Sequence, residues 1–108
     1  MLKEDYFNDE FQRLRAFREI VANLGGSPLV RVVTDNELYP LFKIGDFLAF
    51  FPLDKMTIES FDGVCLIVFS EYENILIKNQ GEFTYMNGNP YILESKDFEI
   101  YALRTFCR

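Results

Sequence analysis

The sequence predicts a mainly β fold: a small, partly closed β-barrel or sheet preceded by one N-terminal amphipathic helix. Three observations predict it. Apolar residues recur at helical spacing up to residue 24, the run Gly25-Gly26-Ser27-Pro28 breaks that pattern, and the rest of the chain falls into six or seven short strand-like runs separated by turn residues. At 108 residues and 49% hydrophobic composition the chain is the size of one core. It divides into residues 1–26, helix and linker, and residues 27–108, a β-domain.

The helix is read over Asp5 to Leu24. Phe7, Phe11, Leu14, Phe17, Val21 and Leu24 lie three or four residues apart and so form one apolar stripe. Asp5 or Asn8 offers the side-chain oxygen an N-cap requires, and Asp9 and Glu10 then sit near the positive end of the helix dipole. Gly25 and Gly26 can take the positive φ that ends a helix, and Pro28 blocks its continuation. The stripe covers under three heptads. It serves either as a docking face on the chain's own sheet or as a linker or dimerisation helix. Arg13, Arg15 and Arg18 lie on the remaining faces, offset by Asp5, Asp9, Glu10 and Glu19. A DNA-reading helix-turn-helix needs a second helix in sequence, and none is visible.

The strands are read from short apolar or β-branched runs. Leu29 to Val33 and Phe47 to Phe51 come first, then Val64 to Phe69 and Asn74 to Lys78, which flank Ser70-Glu71-Tyr72-Glu73 as a hairpin would. Asn79-Gln80-Gly81 is a turn, Phe83 to Met86 a further strand, and Asn87-Gly88-Asn89-Pro90 a breaker cluster. Phe98, Ile100 and Ala102 alternate with Glu99 and Tyr101, as in a strand with one wet face.

Composition excludes several functions. Eleven basic against seventeen acidic residues give a net charge of −6, which disfavours non-specific attraction to nucleic acid or anionic membrane. With no histidine, the commonest general base and metal ligand are missing, so neither a Ser-His nor a Cys-His dyad is expected, nor any metal or cofactor. Cys65 and Cys107 match no metal spacing and read as reduced thiols, small apolar fillers of a cytoplasmic protein. The apolar runs Phe47 to Pro52 and Val64 to Phe69 are far short of a membrane span.

The most informative segment is Glu37-Leu38-Tyr39-Pro40-Leu41-Phe42-Lys43-Ile44-Gly45-Asp46, a loop and tight turn feeding the strand that starts at Phe47. It resembles the peptidase-like domain of LexA, UmuD and phage repressors, within the superfamily that includes signal peptidases. Leu38, Pro40, Phe42, Gly45 and Asp46 match that family's spacing. Asp62-Gly63 before a strand, Ile75-Leu76-Ile77-Lys78 at its lysine strand, and Asn87-Gly88-Asn89-Pro90-Tyr91 at its Ser-x-Asn-Pro-x-Tyr loop continue the likeness over Leu29 to Arg108. The resemblance implies a LexA-type β-domain that dimerises, and DNA binding only through a separate module that this chain does not contain.

The departure from the family is at its nucleophile. The serine position, three residues before Pro40, holds Glu37, and Lys78 stands at the lysine position. A carboxylate beside that lysine favours the ammonium form, the wrong state for a base, and cannot form an acyl-enzyme. Thr34, the nearest hydroxyl, lies three residues too early. The dyad reads as dead. Glu37 and Lys78 are either a vestigial pair or an unconnected turn carboxylate and outward-facing lysine.

The expected function is therefore a non-catalytic self-association or regulatory domain of a repressor-like or SOS-type transcriptional regulator. The alternatives are a self-cleaving Ser-Lys-type peptidase of the UmuD kind with an unrecognised nucleophile, and an acidic inhibitor that binds another protein. A homodimer is expected because twelve phenylalanines and six tyrosines exceed what a small core readily hides. The C-terminal strand, taken as a sheet edge, is its expected contact, with Tyr101 and Phe106 as interface residues.

Overall fold

The computed structural model describes residues 2–93 and 97–107, with side chains from residue 11 onward except at residue 55. Helix α1 spans Leu2–Ala22. The strands are β1 (Leu29–Val32), β2 (Phe47–Pro52), β3 (Gly63–Val68), β4 (Glu73–Asn79), β5 (Glu82–Thr84), β6 (Pro90–Tyr91) and β7 (Glu99–Cys107), with a four-residue helix α2 (Lys55–Ile58) between β2 and β3. The molecule is thus mainly β, a single seven-stranded antiparallel sheet in the order β1-β2-β7-β3-β4-β5-β6.

α1 starts at Leu2, upstream of both Asp5 and Asn8, so neither residue stands at the cap position. The side chains of Phe7, Asp9 and Glu10 lie outside the described residues. The helix ends as its sequence requires. Gly25 and Gly26 sit at φ +77° and +79°, consecutive left-handed positions that a side chain would strain. Phe17 and Val21 then pack onto Phe47, Ala49 and Phe51 of β2 with Leu14 against them, so part of the stripe docks on the chain's own sheet while Phe11 and Leu24 stay exposed.

Alternation along the strands sorts the core into two faces. Leu48 and Phe50 of β2 join Leu66 of β3 on one face, closed over by Val33, Leu38 and Phe42 from the β1–β2 connection. The opposite face carries two clusters. Phe47, Ala49 and Phe51 lie under α1, while Cys65, Ile67, Leu76 and Ile100 lie near α2 with Phe61 and Phe98. A bulge sits in the β2–β7 pairing. Ala49 faces Thr105 and Phe50 faces Leu103, so β7 carries one extra residue, Arg104, whose guanidinium lies 5.0 Å from the Phe51 ring centroid.

Three local expectations are corrected. The run expected as strand from Phe83 to Met86 stops at Thr84, because Tyr85 turns away to accept Gly88 N–H on its carbonyl and to bond Asn89 O. Pro90-Tyr91 of the breaker cluster is itself a short strand. The C-terminal strand β7 is not an edge. It lies between β2, which pairs with Tyr101–Cys107, and β3, which pairs with Glu99–Ala102.

The sheet stays open, and the gap between β1 and the first half of β4 is bridged by side chains rather than by strand pairing. Arg31 donates from Nε to Glu73 Oε1 (2.6 Å) and from Nη2 to Glu73 Oε2 (2.9 Å), a two-pronged contact. Its Nη1 also donates to Val30 O at 3.0 Å, covering one free carbonyl of the β1 edge. The hydrogen bond from Arg31 holds the Glu73 carboxyl below the usual glutamate range. Because the folded value lies below the unfolded one, this contribution is complete above about pH 4.3 and fades as the pH falls further. Urea unfolding at neutral pH and at about pH 3 is expected to differ more for the natural chain than for Glu73→Gln. Equal differences would show that the bridge adds nothing across the gap.

Candidate functional site

The β1–β2 connection is held by a compact set of backbone bonds. Val33 N donates to Asp46 O (2.9 Å) and Gly45 N to Val33 O (2.8 Å), extending the β1–β2 pairing past the strand ends. Gly45 takes φ +94°, and the buried Asp46 carboxylate accepts Lys43 N–H at Oδ2 (2.9 Å). The Gly-Asp pair is thus a turn that fixes the loop above it. Within that loop Phe42 N donates to Leu38 O (3.0 Å), which points Leu38 and Phe42 into the core together. Pro40 follows a cis Tyr39–Pro40 bond and is exposed, as are Tyr39 and Leu41.

Glu37, immediately before Leu38, stays at the surface, and Asp35 Oδ1 accepts its N–H at 3.0 Å. Two adjoining cavities of about 230 and 320 Å³ meet at Glu37, Leu38, Ile75 and Tyr85. The first runs between β1 and β4, walled by Arg31 and Glu73 with Thr34 and Asp35. The second runs toward Asn87 and Asn89 of the β5–β6 turn. That turn is ordered by Asn87 Oδ1 accepting Asn89 N–H (2.9 Å), after which Pro90 enters β6 opposite Thr84. Four separated stretches of sequence therefore converge on one cleft, bringing Glu37, Leu38 and Asn89 together.

Lys78 is not among them. Its neighbour Ile75 faces the cleft side of β4, while Leu76 and Lys78 occupy the opposite face, near α2. Lys78 is 3% exposed, and its ammonium donates to Phe61 O at 2.7 Å and to Glu59 O at 3.3 Å. Glu37 and Lys78 form no ion pair. Nor is Lys78 outward-facing, because it is buried and anchored. Next to it, burial pushes the Cys65 thiol up to about 12 against the opposing pull of the Lys78 charge, so Cys65 is inert as a nucleophile.

In the cleft, Asp35 and Glu37 offer only acceptors, and the hydroxyl of Thr34 has no lysine beside it. This arrangement offers acceptors to cationic or N–H-bearing groups. Arg31, Glu73, Asp35 and Tyr85 were not anticipated from sequence. The available signal was Arg31, a charge in the middle of the apolar run Leu29 to Val33 that calls for a partner. Of the interface candidates, Tyr101 is partly buried against the inner cluster and donates its hydroxyl to Glu99 Oε2 at 2.7 Å. Phe106 is 46% exposed, with its ring 5.5 Å from that of Phe42.

Among the described residues no three His, Cys, Asp or Glu side chains gather as a metal site, and no helix is long and apolar enough to cross a membrane. Comparison with protein-family models, with curated proteins and with solved structures finds no match to this chain.

Proposed function

We propose that this chain is a non-catalytic self-association and regulatory domain of the kind found in LexA, UmuD and phage repressors: a peptidase-like β-domain without peptidase chemistry. One observation carries the reading. The position of the family's serine is Glu37, on the cleft, while Lys78 faces away and is committed to the carbonyls of Glu59 and Phe61. A Ser-Lys mechanism needs a hydroxyl in contact with an uncharged lysine, and here both the hydroxyl and the contact are missing. Self-association is supported by the apolar side chains left at the surface, among them Phe11, Tyr39, Ile44 and Phe106. DNA would be reached only through a separate module.

Incubation of the purified chain at alkaline pH, followed by mass spectrometry, tests the absence of chemistry. Intact mass is expected throughout, and Glu37→Ser is expected to stay equally intact because Lys78 lies on the other face of the sheet. A cut at one specific bond that is lost in Lys78→Ala would overturn the reading.

A further inference from the structure

We infer that α1 is the surface through which two copies of this chain associate, each laying its α1 antiparallel against the other's. The inference rests on the self-association reading and names its surface.

The apolar stripe of the helix is only partly used. Phe17 and Val21 are buried on β2, and the Arg13 guanidinium lies 5.2 Å from the Phe47 ring centroid, so the described docking runs from Arg13 to Val21. Beside that docked line, which Leu14 also touches, Phe11, Leu14, Arg18 and Ala22 succeed one another at spacings of three and four and border an open groove with little polar lining. Phe11 is 67% exposed there, although a phenylalanine gains about 2 kcal/mol or more from full burial. The 21-residue helix is about 31 Å long, more than its docking contacts use.

The distribution of charge along α1 selects the occupant. Residues 2–11 carry one lysine against four carboxylates (Glu4, Asp5, Asp9 and Glu10). Residues 12–22 carry three arginines (Arg13, Arg15 and Arg18) against Glu19 alone. The helix is acidic at its start and basic at its end. A second copy in parallel would set like charges together, whereas an antiparallel copy sets each acidic half beside a basic one and Phe11 of one copy near Leu14 of the other. A two-fold contact lets one patch cover itself, which suits a chain whose net charge of −6 otherwise repels its own copies. The only ion pair described on this helix, Arg15 to Glu19 at 3.9 Å, is exposed and leaves the arginine accessible.

Sedimentation equilibrium on the full chain tests both the surface and its direction. The natural chain is expected to dimerise at micromolar concentration. Phe11→Asp, at an exposed site, should leave the melting temperature of the diluted, monomeric chain unchanged while raising the dissociation constant about tenfold or more. The quadruple variant Asp9→Lys/Glu10→Lys/Arg15→Glu/Arg18→Glu, whose helix is basic at its start and acidic at its end, should dimerise with itself and not combine with the natural chain, because antiparallel pairing with the natural helix sets like charges together. A dimer indifferent to both Phe11→Asp and the quadruple change would refute the α1 surface and leave self-association standing. A quadruple variant that combines with the natural chain and not with itself, although Phe11→Asp weakens the dimer, would refute the antiparallel pairing. A natural chain that stays monomeric at about 100 µM would overturn the self-association reading itself.

Discussion

Phe50→Ala is expected to remove about 3–5 kcal/mol of folding stability, a third or more of what a domain of this size commonly has. Phe50 is fully buried and sits mid-strand, opposite Leu29 of β1 on one side and Leu103 of β7 on the other. Its ring fills the inner face where Leu48, Leu66, Leu38 and Phe42 meet. Truncation leaves a cavity that the strands cannot close, because the hydrogen bonds of β2 to both neighbours hold it in place. Urea unfolding measures the loss. Met56→Ala, at a side chain 89% exposed, serves as control and should move stability by no more than about 0.5 kcal/mol. A loss for Phe50→Ala as small as the control's would mean that the inner face is not one packed core.

The helix and most strands were legible because each has a strong local pattern. The α1 stripe, the Gly25-Gly26 stop and the β3–β4 hairpin around Ser70 to Glu73 all come from interactions within a few residues. What escaped depends on distant partners. β6 is two residues that count as a strand only because β5 lies beside them. α2 is four residues started by Asp54, whose Oδ1 accepts Met56 N–H (3.0 Å) and Thr57 N–H (2.9 Å), a cap legible only once a helix is suspected there. The place of β7 was misjudged for the same reason. Being last in sequence says nothing about being last in the sheet, and a nine-residue strand rich in apolar residues is suited to the centre.

The site divides in the same way. Gly45 and Asp46 make the tight turn their sequence suggested, since such a turn is a local device. The relation of Glu37 to Lys78 could not be read from spacing, because it depends on which face of β4 each residue meets. The period of two along a strand decides that: Ile75 faces the cleft, so Lys78, three residues on, faces the other way.

Lys78→Ala is expected to cost about 2–4 kcal/mol, with Lys78→Met less damaging. The alanine variant loses both the aliphatic stem packed on the face shared with Leu76 and the donor that satisfies Phe61 O and Glu59 O. Methionine restores most of the volume and none of the hydrogen bonds, so the difference between the two variants separates packing from the orphaned carbonyls. Because those carbonyls follow α2 directly, the loss should be local as well as global. Amide exchange in residues 56–62 is expected to quicken in both variants relative to β2 and β7. Urea unfolding and hydrogen exchange on the same samples give the two readouts. Should Lys78→Ala prove neutral in both, the ammonium is not anchored where α2 ends, and a lysine free to act as a base returns to consideration. A cost of the expected size with quickened exchange near α2 instead makes Lys78 a structural bolt, which is the state a regulatory domain without catalysis requires.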